Sequence, residues 1–152
     1  MTAITDIKLI KQINGSYDIE LDNDGNLIAD NGYGNAMLIT FATDARALPN
    51  QVPNSQNRRG WFGNLFNEDI TSDIGSKLWI LETRNVSTAS LNEGIALLTE
   101  AYNWLIEQGR ASRINIVGQI RDSGYSFDIA ILNGNDIIES NTFEFWKNTN
   151  AT

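Results

Sequence analysis

The chain contains neither cysteine nor histidine, and those two absences remove more chemistry than any motif adds. Without thiols there are no disulfides, thiolate nucleophiles or cysteine metal ligands. Without imidazole there is no Ser-His-Asp triad, no His-ligated zinc and no imidazole acid–base catalysis. Proline occurs only at Pro49 and Pro53, both inside one polar stretch. Positive charge is scarce as well: 11 lysines and arginines against 19 acids give a formal charge of -8 and a pI near 4.4. Such a surface repels phosphate-rich partners, so nucleic acid is not an expected ligand. No apolar run approaches the length needed to cross a bilayer, and the N-terminus carries no basic segment leading into an apolar one. A soluble protein made in the cytoplasm is expected, with no membrane partner.

At 152 residues the chain is long enough to bury a sizeable core, and one domain over residues 1–147 is expected, followed by a frayed tail at 148–152. Its charges are unevenly spread. From Gln12 to Ala45 the acids Asp18, Glu20, Asp22, Asp24, Asp30 and Asp44 occur without a base, and from Asp122 to Trp146 so do Asp122, Asp128, Asp136, Glu139 and Glu144. Between Arg46 and Lys77 the positive charges are Arg58 and Arg59 alone. A solvated surface accounts for this pattern. Complementarity, in which an acidic region of one molecule meets the basic loop of another, accounts for it too.

Along the chain, Ile7 and Leu9, then Tyr17, Ile19 and Leu21, alternate with polar residues around Asn14-Gly15 and Asn23-Asp24-Gly25-Asn26, which predicts a short β-meander. Asn35 is placed to cap a helix with Met37, Leu38 and Phe41 on its apolar face, ending before Pro49. A long loop follows, then a short helix over Gly75 to Glu82. Ser90 and Glu93 have capping-box spacing, and Leu91, Ile95, Leu98, Tyr102 and Leu105 form one stripe of a helix over Ser90 to Gln108, closed by Gly109. Ile114, Ile116 and Ile120 share one face of a strand. Asp122-Ser123-Gly124 turns it into a strand carrying Tyr125, Phe127, Ile129 and Ile131, and Asn133-Gly134-Asn135 leads to a last strand with Phe143 and Phe145. The fold class is α+β: a single domain with an antiparallel sheet packed on one long and two shorter helices, and a long central loop.

Catalytic and metal constellations are weak. Glu20, Asp22, Asp24 and Gly25 suggest a calcium loop, but Asn31 stands where a bidentate glutamate is needed. No carboxylate pair sits in an apolar setting that would raise one pKa, and Gly32 and Gly34 complete no phosphate-binding fingerprint. No catalytic, cofactor or metal site is assigned. Trp79, Trp104 and Trp146 lie in periodic elements and are expected in the core.

The segment Arg58-Arg59-Gly60-Trp61-Phe62-Gly63 differs from all of these, because two cations and two large aromatics are interleaved with glycines inside a polar loop. Leaving such rings in water forfeits roughly 1.5–3 kcal/mol each, so something should cover them, either the protein's own body or another subunit. Trp and Arg are common interface anchors, and an internal guanidinium–indole clasp is the other reading. Asp44 and Arg46 form a charged pair at the end of the first helix, or partner Arg58 and Arg59 in a network that fixes the loop.

Asp44-Ala45-Arg46-Ala47, Arg58-Arg59-Gly60-Trp61-Phe62-Gly63 and Gly75-Ser76-Lys77-Leu78-Trp79-Ile80-Leu81 occur in that order before a long helix and a C-terminal β region. Together they resemble the Mu-type phage baseplate family named for gene product forty-six, over about Asp18 to Trp146. Ala45 stands where that family often has arginine, Phe62 where a second tryptophan is common and Lys77 where arginine is usual. Ala45 therefore offers no guanidinium contact. The resemblance implies a structural, non-enzymatic wedge subunit of a contractile-tail baseplate, located in the virion. Its implied partners are larger wedge proteins, the central hub or tube and the tail sheath, in a six-fold assembly. It implies that Arg58, Arg59, Trp61 and Phe62, supported by Asp44 and Arg46, make the wedge contact, and that the C-terminal strands pair with the sheath. A lysozyme-like cell-wall hydrolase and a tail-assembly chaperone absent from the particle are the alternatives.

Overall fold

Two tight turns organise the N-terminal part of the chain. Gly15 and Gly25 sit at φ +85° and +82°, a left-handed backbone that glycine adopts freely and other residues adopt at a cost of about 1–2 kcal/mol. The computed structural model describes residues 6–30, 32–53, 57–66 and 73–146, and it divides into two units, residues 1–38 and 39–152. The tail expected at 148–152 lies outside the described residues.

In the first unit β1 (Asp6–Ile7) pairs antiparallel with β4 (Ala29–Asp30), and β2 (Leu9–Lys11) pairs with β3 (Tyr17–Ile19). Leu21 bridges Leu27 across the second turn, where Asp22 Oδ1 accepts from the amides of Asp24 and Asn26 at 2.9 and 2.8 Å. The expected strands are present, two or three residues long, but they form two separate antiparallel pairs, β4 returning to β1, instead of one meander. Their apolar side chains lie open, with Ile19 51% and Leu21 61% exposed.

α1 (Tyr33–Ala42) begins three residues earlier than the Asn35 cap predicts, since that cap would make Ala36 the first helical residue. Asn35 instead lies buried in the first turn, and Asp30 takes the capping role: its Oδ2 accepts from Gly32 N at 2.8 Å and Asn35 N at 3.4 Å. The Asn35 amide is used elsewhere. Its Oδ1 accepts from Leu9 N at 3.0 Å, and its Nδ2 donates to Ile7 O at 2.6 Å and Asp6 Oδ2 at 3.0 Å. One side chain thus ties the helix to the first strands.

The second unit is built on a meander of β5 (Arg113–Arg121), β6 (Gly124–Asn133) and β7 (Asp136–Trp146). Arg121 pairs with Gly124, and Asn133 with Asp136, so each connection is as tight as its turn residues predict. The register is Ile131 opposite Glu139 but Leu132 opposite Ile137, which leaves Ile138 as a bulge. The period-2 pattern puts Tyr125, Phe127, Ile129 and Ile131 on one face, all essentially inaccessible. Burying four such side chains favours this face by roughly 1.5–3 kcal/mol each before ordering entropy is subtracted.

α2 (Thr88–Glu107) covers that face. Leu98, Tyr102 and Leu105 are fully buried, while Leu91 and Ile95 rest on Gly118 of β5, where a Cβ would come within 2.7 Å of Leu91 Cδ1 and 3.2 Å of Ile95 Cδ1. Gly118 therefore lets the helix approach where the Ile114, Ile116, Ile120 row is interrupted. The helix starts earlier than the capping box predicts: Ser87 is the N-cap, accepting from Ser90 N, while Ser90 is buried and its hydroxyl donates to Asn85 O at 2.8 Å. Glu93 pairs with Arg84 instead of closing a box. Phe41 of α1 stacks on Phe143 with ring centroids 4.7 Å apart.

The short helix predicted over Gly75–Glu82 is a 3-10 turn at Leu78–Thr83. Gly75 and Ser76 are held out of it by an extended pairing described below. Trp79 is buried as expected and Trp104 is half-buried beneath the Arg110 guanidinium, but Trp146 is 53% exposed. Trp146 ends β7 opposite Gly124 and alternates away from the covered side that holds Phe143 and Phe145.

Candidate protein interface

The backbone after α1 carries the site. Residues 43–47 run extended between two other segments: Ser76 N donates to Thr43 O and Ala45 N to Ser76 O on one side, at 2.9 and 2.8 Å, and Trp61 N donates to Asp44 O and Ala47 N to Arg58 O on the other, at 2.8 and 3.0 Å. Two glycines make this close approach possible. At Gly75 (φ +108°) a Cβ would lie 2.5 Å from Thr43 O, and at Gly60 (φ +112°) 2.9 Å from Arg46 Cβ. Arg59 itself holds φ +49°, the one left-handed non-glycine residue among the described residues. A non-glycine residue there is uncommon and needs surroundings that hold it.

Those surroundings are the side-chain contacts of Arg59. Its guanidinium lies 4.8 Å from the Trp79 ring centroid, contacts Asp44 Oδ2 at 3.2 Å and pairs through both nitrogens with the Glu82 carboxylate at 3.0 and 2.5 Å. Trp79 is fixed in turn, its Nε1–H donating to Ala45 O at 2.8 Å. The hydrogen bond to Glu82, with the charges of Glu82 and Asp44 behind it, raises the Arg59 pKa above the ordinary arginine value. Planar bidentate pairing and stacking on an indole both use the shape of guanidinium, which lysine lacks.

The remaining expected residues separate into two groups. Asp44 joins Arg59, as the network reading anticipates. Arg58 turns along the backbone, donating from Nη1 to Ala47 O at 3.3 Å, while Arg46 is exposed with its Cα and Cβ against Gly60. Trp61 is 42% and Phe62 70% exposed, their ring centroids 5.8 Å apart, and the indole folds over Gly63. A 3-10 turn at Phe62–Phe66 continues the apolar surface, with Leu65 75% and Phe66 79% exposed. Asn64 holds this turn in place: its amide exchanges two 3.0 Å hydrogen bonds with the backbone of Ile74.

The loop therefore has a clasped underside and an open apolar outer side. Sequence reasoning missed four contributors. Trp79 and Glu82 lie three residues apart in one helical turn, a spacing that puts them on the same side. Leu65 and Phe66 extend the aromatic run Trp61-Phe62 across the two residues Gly63-Asn64, a signal that was available. What the arrangement offers chemically is contact: rigid aromatic surface beside exposed cationic charge, on a backbone fixed from within.

Comparison with known proteins yields two findings. The family model described as Phage protein GP46 matches residues 33–136. The baseplate protein gp46 of Escherichia phage Mu is 30% identical over 126 residues, covering 82% of this chain and 83% of its own length.

Proposed function

This chain belongs to the phage protein GP46 family, and from that premise we propose that it is a structural subunit of a phage-tail baseplate. It acts there as a small wedge component that binds by surface contact and carries out no reaction. The observation that supports this most is the exposed cluster Trp61, Phe62, Leu65 and Phe66, set on a loop that Arg59, Asp44 and Glu82 hold rigid. Pre-ordering removes much of the entropic cost of docking, and large aromatics supply the contact energy. Trp61 and Phe62 meet a larger wedge protein, Arg46 and Arg58 add charge at the rim, and Arg59 and Asp44 keep the loop in shape.

A second element fits the same role. The three-stranded sheet ends in β5 on one side and β7 on the other, and no strand pairs with either outer edge among the described residues. Such edges accept added strands, so the sheet offers a template on which sheath assembly starts in a contractile tail. Six-fold repetition around a hub or tube supplies the copies.

The decisive experiment replaces Trp61 and Phe62 together by alanine in phage that produce this protein. A folded variant missing from purified tails is the expected result. Incorporation at the wild-type level would remove the loop from the wedge contact, and absence of the unmodified chain from tails would end the baseplate reading.

A further inference from the structure

The N-terminal strands carry a second surface, outside the residues 33–136 matched by the family. Pairing register and alternation put Leu9, Lys11, Tyr17, Ile19, Leu21 and Leu27 on one face of the β2–β3 ribbon and its continuation, with Ile10 and Asp18 on the other, while Ile7 lies in the separate β1–β4 pair. Ile7, Ile19, Leu21 and Leu27 are 42–61% exposed. The alternate positions carry Asp18, Glu20 and Asp22, all exposed. Over residues 6–30 there are six acids (Asp6, Asp18, Glu20, Asp22, Asp24, Asp30) and two bases (Lys8, Lys11). One side of the ribbon is thus apolar apart from Lys11, the other carries Asp18, Glu20 and Asp22 beside Ile10, and the Asn35 hydrogen bonds anchor its base.

We propose that this ribbon docks on another polypeptide whose surface has an apolar centre ringed by lysine or arginine. Charge selects the occupant. An anionic lipid surface or a phosphate backbone would meet a segment in which six acids outnumber two bases. A second copy of this chain offers a locally basic loop at Arg46 and Arg58, but its overall charge of -8 opposes the approach of one copy to another. A protein with a basic rim satisfies both the exposed apolar row and the carboxylates behind it, and electrostatic steering makes its association sensitive to salt.

The test places a photo-crosslinking p-benzoylphenylalanine at Leu21, or at Glu20 on the opposite side, in the full-length chain expressed during phage production. Adducts are read by mass spectrometry both in assembling cells and in purified tails. The expected result is an adduct from position 21 to a different protein, at a site flanked by lysine or arginine, with a yield roughly tenfold above that from position 20. An adduct within the same chain, to a second copy, to lipid or to nucleic acid overturns the proposal, as does no adduct from position 21. Because the cell sample is read separately, absence of the chain from tails would sink the baseplate reading without removing this measurement.

Discussion

The guanidinium carbon of Arg59 lies 4.8 Å from the centre of the Trp79 ring, and the Trp79 indole N–H is hydrogen-bonded to Ala45 O on the segment that Arg59 also reaches through Asp44. Loop, helix end and 3-10 turn are locked by that one arrangement.

Arg59→Ala removes a cation–π contact of about 0.5–1 kcal/mol and two partly exposed ion pairs of about 0.2–1 kcal/mol each, so a loss of about 1–2 kcal/mol is expected. In a thermal melt this lowers the midpoint by about 3–8 °C. Arg59→Lys should recover only part, because an ammonium cannot pair with Glu82 through two nitrogens while lying over the ring. Trp61→Ala should stay within about 0.5 kcal/mol of wild type, since its ring is largely at the surface. Equal melting of the arginine and wild-type proteins would dissolve the clasp.

Gly118→Ala tests the seat of α2 on the sheet. The added methyl meets Leu91 Cδ1 and Ile95 Cδ1 inside normal contact distance, so overpacking should cost about 1–3 kcal/mol, read as a lower urea midpoint. Leu91→Ala in the same molecule opens the space again. A double variant less stable than the sum of the two singles would contradict this packing.

Acid should loosen the N-terminal ribbon through two aspartates. The Asn35 side chain lowers the pKa of Asp6, and the Asn26 amide, first among several donors, lowers that of Asp22. A carboxylate with a lowered folded pKa contributes stability above the ordinary value of 3.8 and loses it as pH falls through the folded value. The Asn26 amide resonance should therefore titrate with a midpoint below 3.8, and Asp22→Asn should abolish that titration. A midpoint at or above the ordinary value would show that Asp22 does not hold the turn.

The parts of the fold that could be read from sequence are those with a short repeat. The 3.6 period of Leu98, Tyr102 and Leu105 and the 2 period of Tyr125 to Ile131 each report burial locally, and both faces are as expected. Caps were harder, because Ser87 and Ser90 both suit the role and only the backbone decides between them. Trp146 obeys the alternation yet ends its strand, opposite Gly124, with its side chain on the uncovered side of the sheet. The Arg58–Trp61 loop stood out by composition. Its internal clasp did not, since nothing in a linear pattern joins Arg59 to Trp79 and Glu82 across the intervening loop. The open ribbon face was legible as alternation, but alternation cannot say whether anything covers it.

The hydrogen bond from Ala47 N to Arg58 O closes the base of the excursion from Leu48 to Asn57. With both ends pinned, doubling its length would cost only about 0.6 kcal/mol of closure entropy. Evolution can therefore lengthen or decorate this stretch at little cost, provided Val52 keeps its packing against Ala47, Trp79, Ile80 and Leu97.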